Sequence, residues 1–372
     1  IMPTPAIAYL TRYVGAAGGL VISASHNPYM DNGIKLFSNT GMKPSEDLEE
    51  LIESHLDHTT DAAPLTGGAL GQPLPYNEGG QHYISFLKQA YRYANASHLR
   101  IGLDCANGAA SLIAPALFKQ LGVQLYVWHA VPDGYNINQQ CGAVYPQTIQ
   151  QKVLEHGLDV GFAFDGDADR LVAVDHTGKV LDGDYILAIC AQALSCTSPL
   201  QHSTIVSTVM ANLGLEHTLH RLGFTLHRTP VGDRYVVQGM QQTGAVLGGE
   251  QSGHIVFLEE HTTGDGLLTA IQLLNAMEYH KCPLAELATV LHKYPQRVLN
   301  VPVRERREPQ SCAPVQQAIE DARRLLGNEG RVVVRLSGTE NVVRIMVEGR
   351  EQEAVDTLTL ELGRTLTQAL GA

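Results

Sequence analysis

The chain has 372 residues, 44% of them hydrophobic and 17% charged, which is ample apolar material for cores and enough length for two or three domains. With 38 acids against 26 bases its formal charge is −12, which argues against nucleic acid or an anionic membrane as the main partner but leaves room for a local phosphate site. No apolar run reaches the roughly 18 residues of a membrane span, no signal segment opens the chain, and the six cysteines form no C-x-x-C pair, which fits a reducing, cytoplasmic setting.

The opening "MPTPAIAYL" is already strand-like or helical, so a preceding segment is expected. "GGLVISAS" reads as a buried strand that ends on Ser25, followed by a turn with His26, Asn27 and Pro28. "IKLF", carrying Lys35, is a second strand entered through a "DNG" turn. "SEDLEELIESHL" starts a helix at Ser45 with acids in its first turn. Residues 61–72 read as a linker. Next come a strand in "LRIGLDCANGAAS", a helix in "APALFKQLG", a strand in "VQLYVW", a helix in "TIQQKVLEHG" and a strand in "DVGFAF". This alternation predicts a mostly parallel sheet with helices on its faces. A third unit begins near "DYILAICAQAL", with strands in "STIVSTV" and "AVLGGEQSG". Beyond Tyr294 two β-rich runs around a polar turn and a long helix suit a small α+β domain.

The most specific local signal is "FAFDGDADRLVAV". Asp165, Asp167 and Asp169 sit at i, i+2 and i+4 between two apolar runs, with Gly166 granting the loop its freedom. Three carboxylates this close repel, and a divalent cation removes the conflict. Hard oxygen ligands suit Mg2+, Mn2+ or Ca2+, and Mg2+ is the choice because it typically takes a few carboxylates plus a phosphate oxygen. An EF-hand is excluded, because Arg170 and His176 stand where it needs Gly and Glu. The competing reading is a solvated acidic turn.

"RLSGTENVVR" offers Arg335, Ser337, Gly338, Thr339 and Arg344 as a phosphate cradle, since backbone N–H groups and guanidiniums both bind anions. The competing reading is a hairpin whose arginines face solvent. In "GGEQSGHI", Glu250, Ser252 and His254 alternate, and on an extended segment they would share one face, suited to sugar hydroxyls. A glycine-bearing strand edge is the alternative. "TPVGDRYV" adds a polar loop with Gly232, Asp233 and Arg234. A serine hydroxyl, a cation turn and a phosphate cradle combine in one chemistry, transfer of a phosphoryl group through phosphoserine.

These segments, "SASHNP", "DGDADR", "GEQSGH" and "RLSGTE" in this order, resemble the α-D-phosphohexomutases. "MPTPAIAYLTR", Gln251 and "HTTGDGLLTA" tilt the resemblance toward the bacterial phosphoglucosamine mutase branch. The resemblance implies a multi-domain α/β fold, with mixed sheets flanked by helices in three related domains plus a smaller α+β C-terminal domain. The boundaries expected are 1–75 for an incomplete first domain with the serine loop, 76–180 for the metal loop, 181–293 for the sugar loop, and 294–372 for a TBP-like phosphate-binding domain. It also implies a mobile last domain.

By the same resemblance, phosphoserine at Ser25 would ligate Mg2+ together with Asp165, Asp167 and Asp169. His26, Lys35 and Arg170 would flank the transferring phosphate, with Lys35 or His26 moving the proton. Glu250, Ser252 and His254 would read the sugar. Arg335, Ser337, Gly338, Thr339 and Arg344 would hold the other phosphate. The implied reaction interconverts glucosamine 6-phosphate and glucosamine 1-phosphate through glucosamine 1,6-bisphosphate, feeding UDP-N-acetylglucosamine and peptidoglycan precursors. The implied partner is a small amino-sugar phosphate, with no nucleic acid or membrane, and a homodimer is compatible. The alternatives are a phosphomannomutase/phosphoglucomutase of the same mechanism, or an inactive sugar-phosphate binder if the family's "FGTDGIRG"-like opening is truly absent. Asn341 replaces the usual proline after "SGTE", which implies a looser phosphate turn.

Overall fold

A computed structural model describes residues 1–57, 66–197, 203–337 and 341–371. The first unit places helix α1 (Thr4–Tyr13), with Pro3 at its N-cap and Pro5 in its first turn, where a missing N–H costs little, against an antiparallel pair of strands, β1 (Gly18–Ile22) and β2 (Ile34–Ser38). Helix α2 (Glu46–Asp57) follows, with acids at its positive end. Of the expected linker, residues 61–65 lie outside the described residues, and Gly67–Ala69 make one 3-10 turn.

The second unit runs α3 (Gly79–Ala90), β3 (Arg100–Asp104), α4 (Ala110–Gln120), β4 (Gln124–Trp128), α5 (Gln147–His156), β5 (Val160–Phe164), β6 (Leu171–Asp175) and β7 (Val180–Leu181). Its sheet order is β4-β3-β5-β6-β7. The first three strands are parallel and the last two antiparallel additions. Every residue of β5 and β6 is buried, which is why both read as unbroken apolar runs.

The third unit comprises α6 (Gly183–Thr197), β8 (Thr204–Thr208), α7 (Leu213–Arg221), β9 (Thr225–Thr229), α8 (Asp233–Thr243), β10 (Leu247–Gly249), β11 (Ile255–Phe257), α9 (Gly266–His280) and the short α10 (Leu284–Leu287). Its order is β11-β10-β8-β9, parallel except at β11. One apolar core runs through the second and third units, and Tyr83 of α3 donates a 2.7 Å hydrogen bond to Asp265, the buried cap of α9.

The last unit has β12 (Gln296–Pro302), α11 (Ala313–Leu326), β13 (Gly330–Leu336), β14 (Val342–Gly349) and α12 (Gln352–Leu370). Its antiparallel sheet, ordered β12-β14-β13, has a core of its own around Val315, Ile319, Ile345 and Leu362. No helix among the described residues is long and apolar enough to cross a membrane.

Candidate active site

Ser25 does not end a buried strand. β1 stops at Ile22, only Val21 of that strand is buried, and Ser25 lies three residues on in a loop. There its φ is 54°, a left-handed conformation that a non-glycine residue rarely adopts. The loop is held from the second unit. Asn138 Nδ2 donates to the Ser25 and Asn27 carbonyls, both at 2.9 Å. A Cβ on Gly166 would come within 2.4 Å of the Ser25 carbonyl, so the glycine serves close approach rather than loop freedom. The result places Ser25 Oγ as donor to Asp165 Oδ2 at 2.8 Å, with His26 Nδ1 3.4 Å from the hydroxyl.

The turn between β5 and β6 presents oxygens of Asp165, Asp167 and Asp169 that all lie within 4.8 Å of one another, and all three residues are buried. Lys35 Nζ donates to Asp167 Oδ2 at 2.5 Å and to Asp169 Oδ2 at 2.9 Å. Thr4 Oγ1 donates to Asp167 Oδ2, also at 2.5 Å. The Arg170 guanidinium is more distant, with Nε 3.9 Å from Asp165 and 3.8 Å from Asp169. Burial, with repulsion from Asp169 and Asp167, pushes the Asp165 carboxyl well above the usual carboxylate range. Burial also opposes charge on Asp169, but His254, Lys35 and Arg170 outweigh it and hold that carboxyl well below the usual range. Asp167 Oδ1 and Asp169 Oδ1 are buried and accept no hydrogen bond among the described residues. A hard divalent cation fits this all-oxygen donor set and would relieve the repulsion on Asp165.

An open cleft of about 660 Å³ joins the units. Ser25, His26, Lys35 and Lys43 reach it from the first unit, Asp169 and Arg170 from the second, Glu250, Ser252 and His254 from the third, and Arg335 and Arg344 from the last. The extended segment expected for Glu250–His254 is absent. β10 ends at Gly249, and the chain reverses into β11 through Glu250 N–H to the His254 carbonyl (2.9 Å) and Gly253 N–H to the Glu250 carbonyl (3.0 Å). Gly253 at φ 94° permits the reversal, and any Cβ there would meet the Leu171 carbonyl at 2.2 Å. The three side chains therefore share the cleft without sharing a strand face.

His254 is buried with Nδ1 3.6 Å from Asp169 and Nε2 3.8 Å from Asp233. Its burial disfavours charge, yet Asp169, Asp233 and Glu250 together raise its pKa. Glu250 Oε1 accepts the Gly232 N–H at 3.2 Å. Arg335 and Arg344 face each other across β13 and β14. Burial and this like charge lower the Arg335 pKa, an arrangement that disfavours the empty fold and favours an anion between them. Ser337 is buried, and its carbonyl accepts from Arg306 at 2.8 Å. Gly338 and Thr339 lie outside the described residues.

Sequence reasoning did not single out Thr4, Lys43 or Asn138. Lys43 pairs at 2.7 Å with Asp233, at the start of α8, so the polar "VGDR" loop is a strap between the first and third units. Arg234 strengthens it through Glu46 and Glu49 of α2.

Comparison with known proteins follows the same division. The family described as phosphoglucomutase/phosphomannomutase matches through its alpha/beta/alpha domain I at residues 1–63, domain II at 81–178, domain III at 182–294 and C-terminal domain at 298–362. A phosphoglucosamine mutase of Brevibacillus brevis is 45% identical over 371 residues, covering 100% of this chain and 83% of the relative. One from Anoxybacillus flavithermus is 46% identical over 373 residues with the same coverage. Among solved structures, a phosphoglucomutase/phosphomannomutase family protein from Burkholderia thailandensis matches with a TM-score of 0.80 at 22% identity, covering 99% of this chain and 81% of that one. The N-acetylphosphoglucosamine mutase of Aspergillus fumigatus, solved with GlcNAc-6P and magnesium, gives 0.75 at 19%, covering 99% and 93%; identities this low speak to the fold alone. With all four family domains in order along one chain, and nearly half its residues shared end to end with curated members, this chain belongs to the phosphoglucomutase/phosphomannomutase family of α-D-phosphohexomutases.

Proposed function

We propose that the chain is an isomerase that interconverts glucosamine 6-phosphate and glucosamine 1-phosphate through phosphoserine at Ser25 and a 1,6-bisphosphate. The observation that carries this reading is the Ser25 hydroxyl, 2.8 Å from Asp165 in a carboxylate turn that opens on the same cleft as a paired-arginine hairpin. In the forward direction the P–O bond to Ser25 breaks as a new P–O bond forms to the sugar hydroxyl, whose proton passes to a neighbouring base. The bisphosphate turns over, and its other phosphate returns to Ser25. Asp165, Asp167, Asp169 and the phosphoserine would hold Mg2+, whose positive charge would offset that of the transferring group.

The chain's own residues supply position and charge. Lys35 is fixed by two carboxylates, and Arg170 stands beside them, so both are placed to draw phosphate oxygens toward Ser25. His26 or Lys35 moves the proton, and the Lys35 ammonium already spends two hydrogen bonds on Asp167 and Asp169, which favours His26. Glu250 and Ser252 face the sugar, with His254 behind them. Arg335 and Arg344, with Ser337, Gly338 and Thr339, grip the phosphate that is not reacting. Two phosphates that exchange places require this separation of transfer site from anchor.

The substrate choice rests on the curated relatives, and the setting proposed is cytoplasmic. A coupled assay with Mg2+ and a trace of 1,6-bisphosphate tests it. Glucosamine 6-phosphate should turn over at least tenfold faster than mannose or glucose phosphates. Preference for either hexose would move the chain to the phosphomannomutase/phosphoglucomutase branch, and inactivity with all three would sink the enzymatic reading.

A further inference from the structure

A second cluster of metal-ligating side chains stands apart from the aspartate turn. Asp104 ends β3, His129 follows β4, and Cys141 lies in the long loop before α5. Their ligand atoms all lie within 4.8 Å of one another, with Asp104 and Cys141 fully buried and the His129 side chain 30% exposed. Asp104 Oδ2 and His129 Nδ1 pair at 3.1 Å, and neither of these buried atoms has a further hydrogen-bond partner among the described residues. Two N/O ligands of one tetrahedral zinc ion stand roughly 3.3 Å apart, given metal–ligand distances near 2.0–2.2 Å. A carboxylate on a fully buried residue needs a partner of opposite charge, which the imidazole when protonated, or a cation bound by both groups, supplies.

We propose that Asp104, His129 and Cys141 form a zinc site. The donor set decides the metal: imidazole and thiolate suit zinc, whereas Mg2+ takes oxygen ligands. The site is also distinct in what it would hold. Three segments meet there, tied by Asn107 N–H to the His129 carbonyl (2.6 Å) and Asn138 N–H to the Ala106 carbonyl (2.9 Å). Asn138, three residues before Cys141, is the residue whose amide grips the Ser25 loop. Zinc at this point clamps the brace of the serine loop from behind and takes no part in the transfer itself.

The test uses the full chain, reduced, in excess Mg2+ so that the aspartate turn is occupied, with Zn2+ and Co2+ as probes. One equivalent of zinc should bind, and the cobalt form should show a thiolate-to-cobalt charge-transfer band. Cys141→Ser should abolish the band, His129→Ala should weaken zinc binding at least tenfold, and Asp165→Asn should keep the band. Absence of the band in the unaltered chain, or its survival in Cys141→Ser, overturns the proposal. Should Cys141→Ser not fold, the part-exposed His129→Ala decides: unchanged zinc affinity there, or X-ray absorption lacking a zinc–sulfur distance of about 2.3 Å in the unaltered chain, also overturns it.

Discussion

In the mechanism proposed above, Ser25 and Lys35 separate two jobs that are easily merged, carrying the phosphoryl group and balancing charge. Ser25→Ala removes the only hydroxyl that reaches Asp165 among the described residues but leaves the arginine hairpin intact. Turnover should fall to background while calorimetry still detects glucosamine 6-phosphate within a few-fold of the original affinity. Residual mutase activity would refute the covalent route. Lys35→Ala has a two-sided outcome. It deletes the ammonium that neutralises Asp167 and Asp169, so turnover should fall by about 10²-fold, the lower range for a lost acid–base or charge-balancing group. The same deletion leaves the carboxylates hungrier for a cation. Added Mg2+ should therefore raise the melting temperature more in Lys35→Ala than in the unaltered chain; a smaller rise would mean that Lys35 does not compete with the ion. The serine and the aspartates were legible from sequence because each sits in its own short polar break between apolar runs. Lys43, Asn138 and Thr4 were not, because the groups they hold lie 190, 113 and 163 residues away from them, the last two within the Ser25 loop and the aspartate turn, and nothing local marks them.

Elements explain both the strongest and the weakest of the sequence readings. The aspartate turn was readable because β5 and β6 are buried on both faces, leaving the polar insertion conspicuous. The Glu250–His254 stretch misled because polar residues alternate equally well along a strand and around a two-stranded reversal. What separates them is Gly253 at φ 94°, a property that a glycine's letter does not disclose. The start of α9 carries a testable balance of charges. Burial pushes Asp265 up to about 6 and His261, aided by Arg12, down to about 3, and the two side chains stand 3.8 Å apart. His261 binds its proton more readily when unfolded, so its contribution is complete above pH ~6.5 and is lost as pH falls from there toward 3. Asp265 is the reverse, because its folded form holds the proton longer: its contribution is complete below pH 3.8 and is lost as pH rises through 6. Between about pH 4 and 6 the two slopes oppose each other and flatten the profile. Asp265→Asn keeps a cap acceptor for α9 but removes the second slope. Its stability should then fall on acidification more steeply than that of the unaltered chain, by up to about 1.4 kcal/mol per pH unit. Parallel profiles from chemical denaturation at pH 4, 5 and 6 would show that the pair does not act this way.

The whole molecule is two bodies by its packing: the second and third units around one large core with α1 of the first unit packed against it, and a last domain with its own core. Their junction is polar. Gln251 Nε2 donates to Gln296 at 2.9 Å, Arg331 to the Ala211 carbonyl at 2.8 Å, and the Leu213 N–H to the buried Glu348 at 3.2 Å. Such a seam yields more readily than an apolar one, which suits the proposed turning of a bisphosphate in the cleft. The closing force would then come from the substrate, through Arg335 and Arg344. Their mutual repulsion predicts that Arg335→Met leaves the melting temperature unchanged or higher. Loss of a charge-assisted hydrogen bond to phosphate, about 1.5–3 kcal/mol, predicts a kcat/KM lower by roughly 10- to 150-fold. Small-angle scattering separates anchoring from mere affinity. Saturating glucosamine 6-phosphate should shrink the radius of gyration of the unaltered chain and shrink it less in Arg335→Met, even when the variant is fully bound. Equal compaction would mean that the domain closes through other contacts and that the arginine pair only adds affinity.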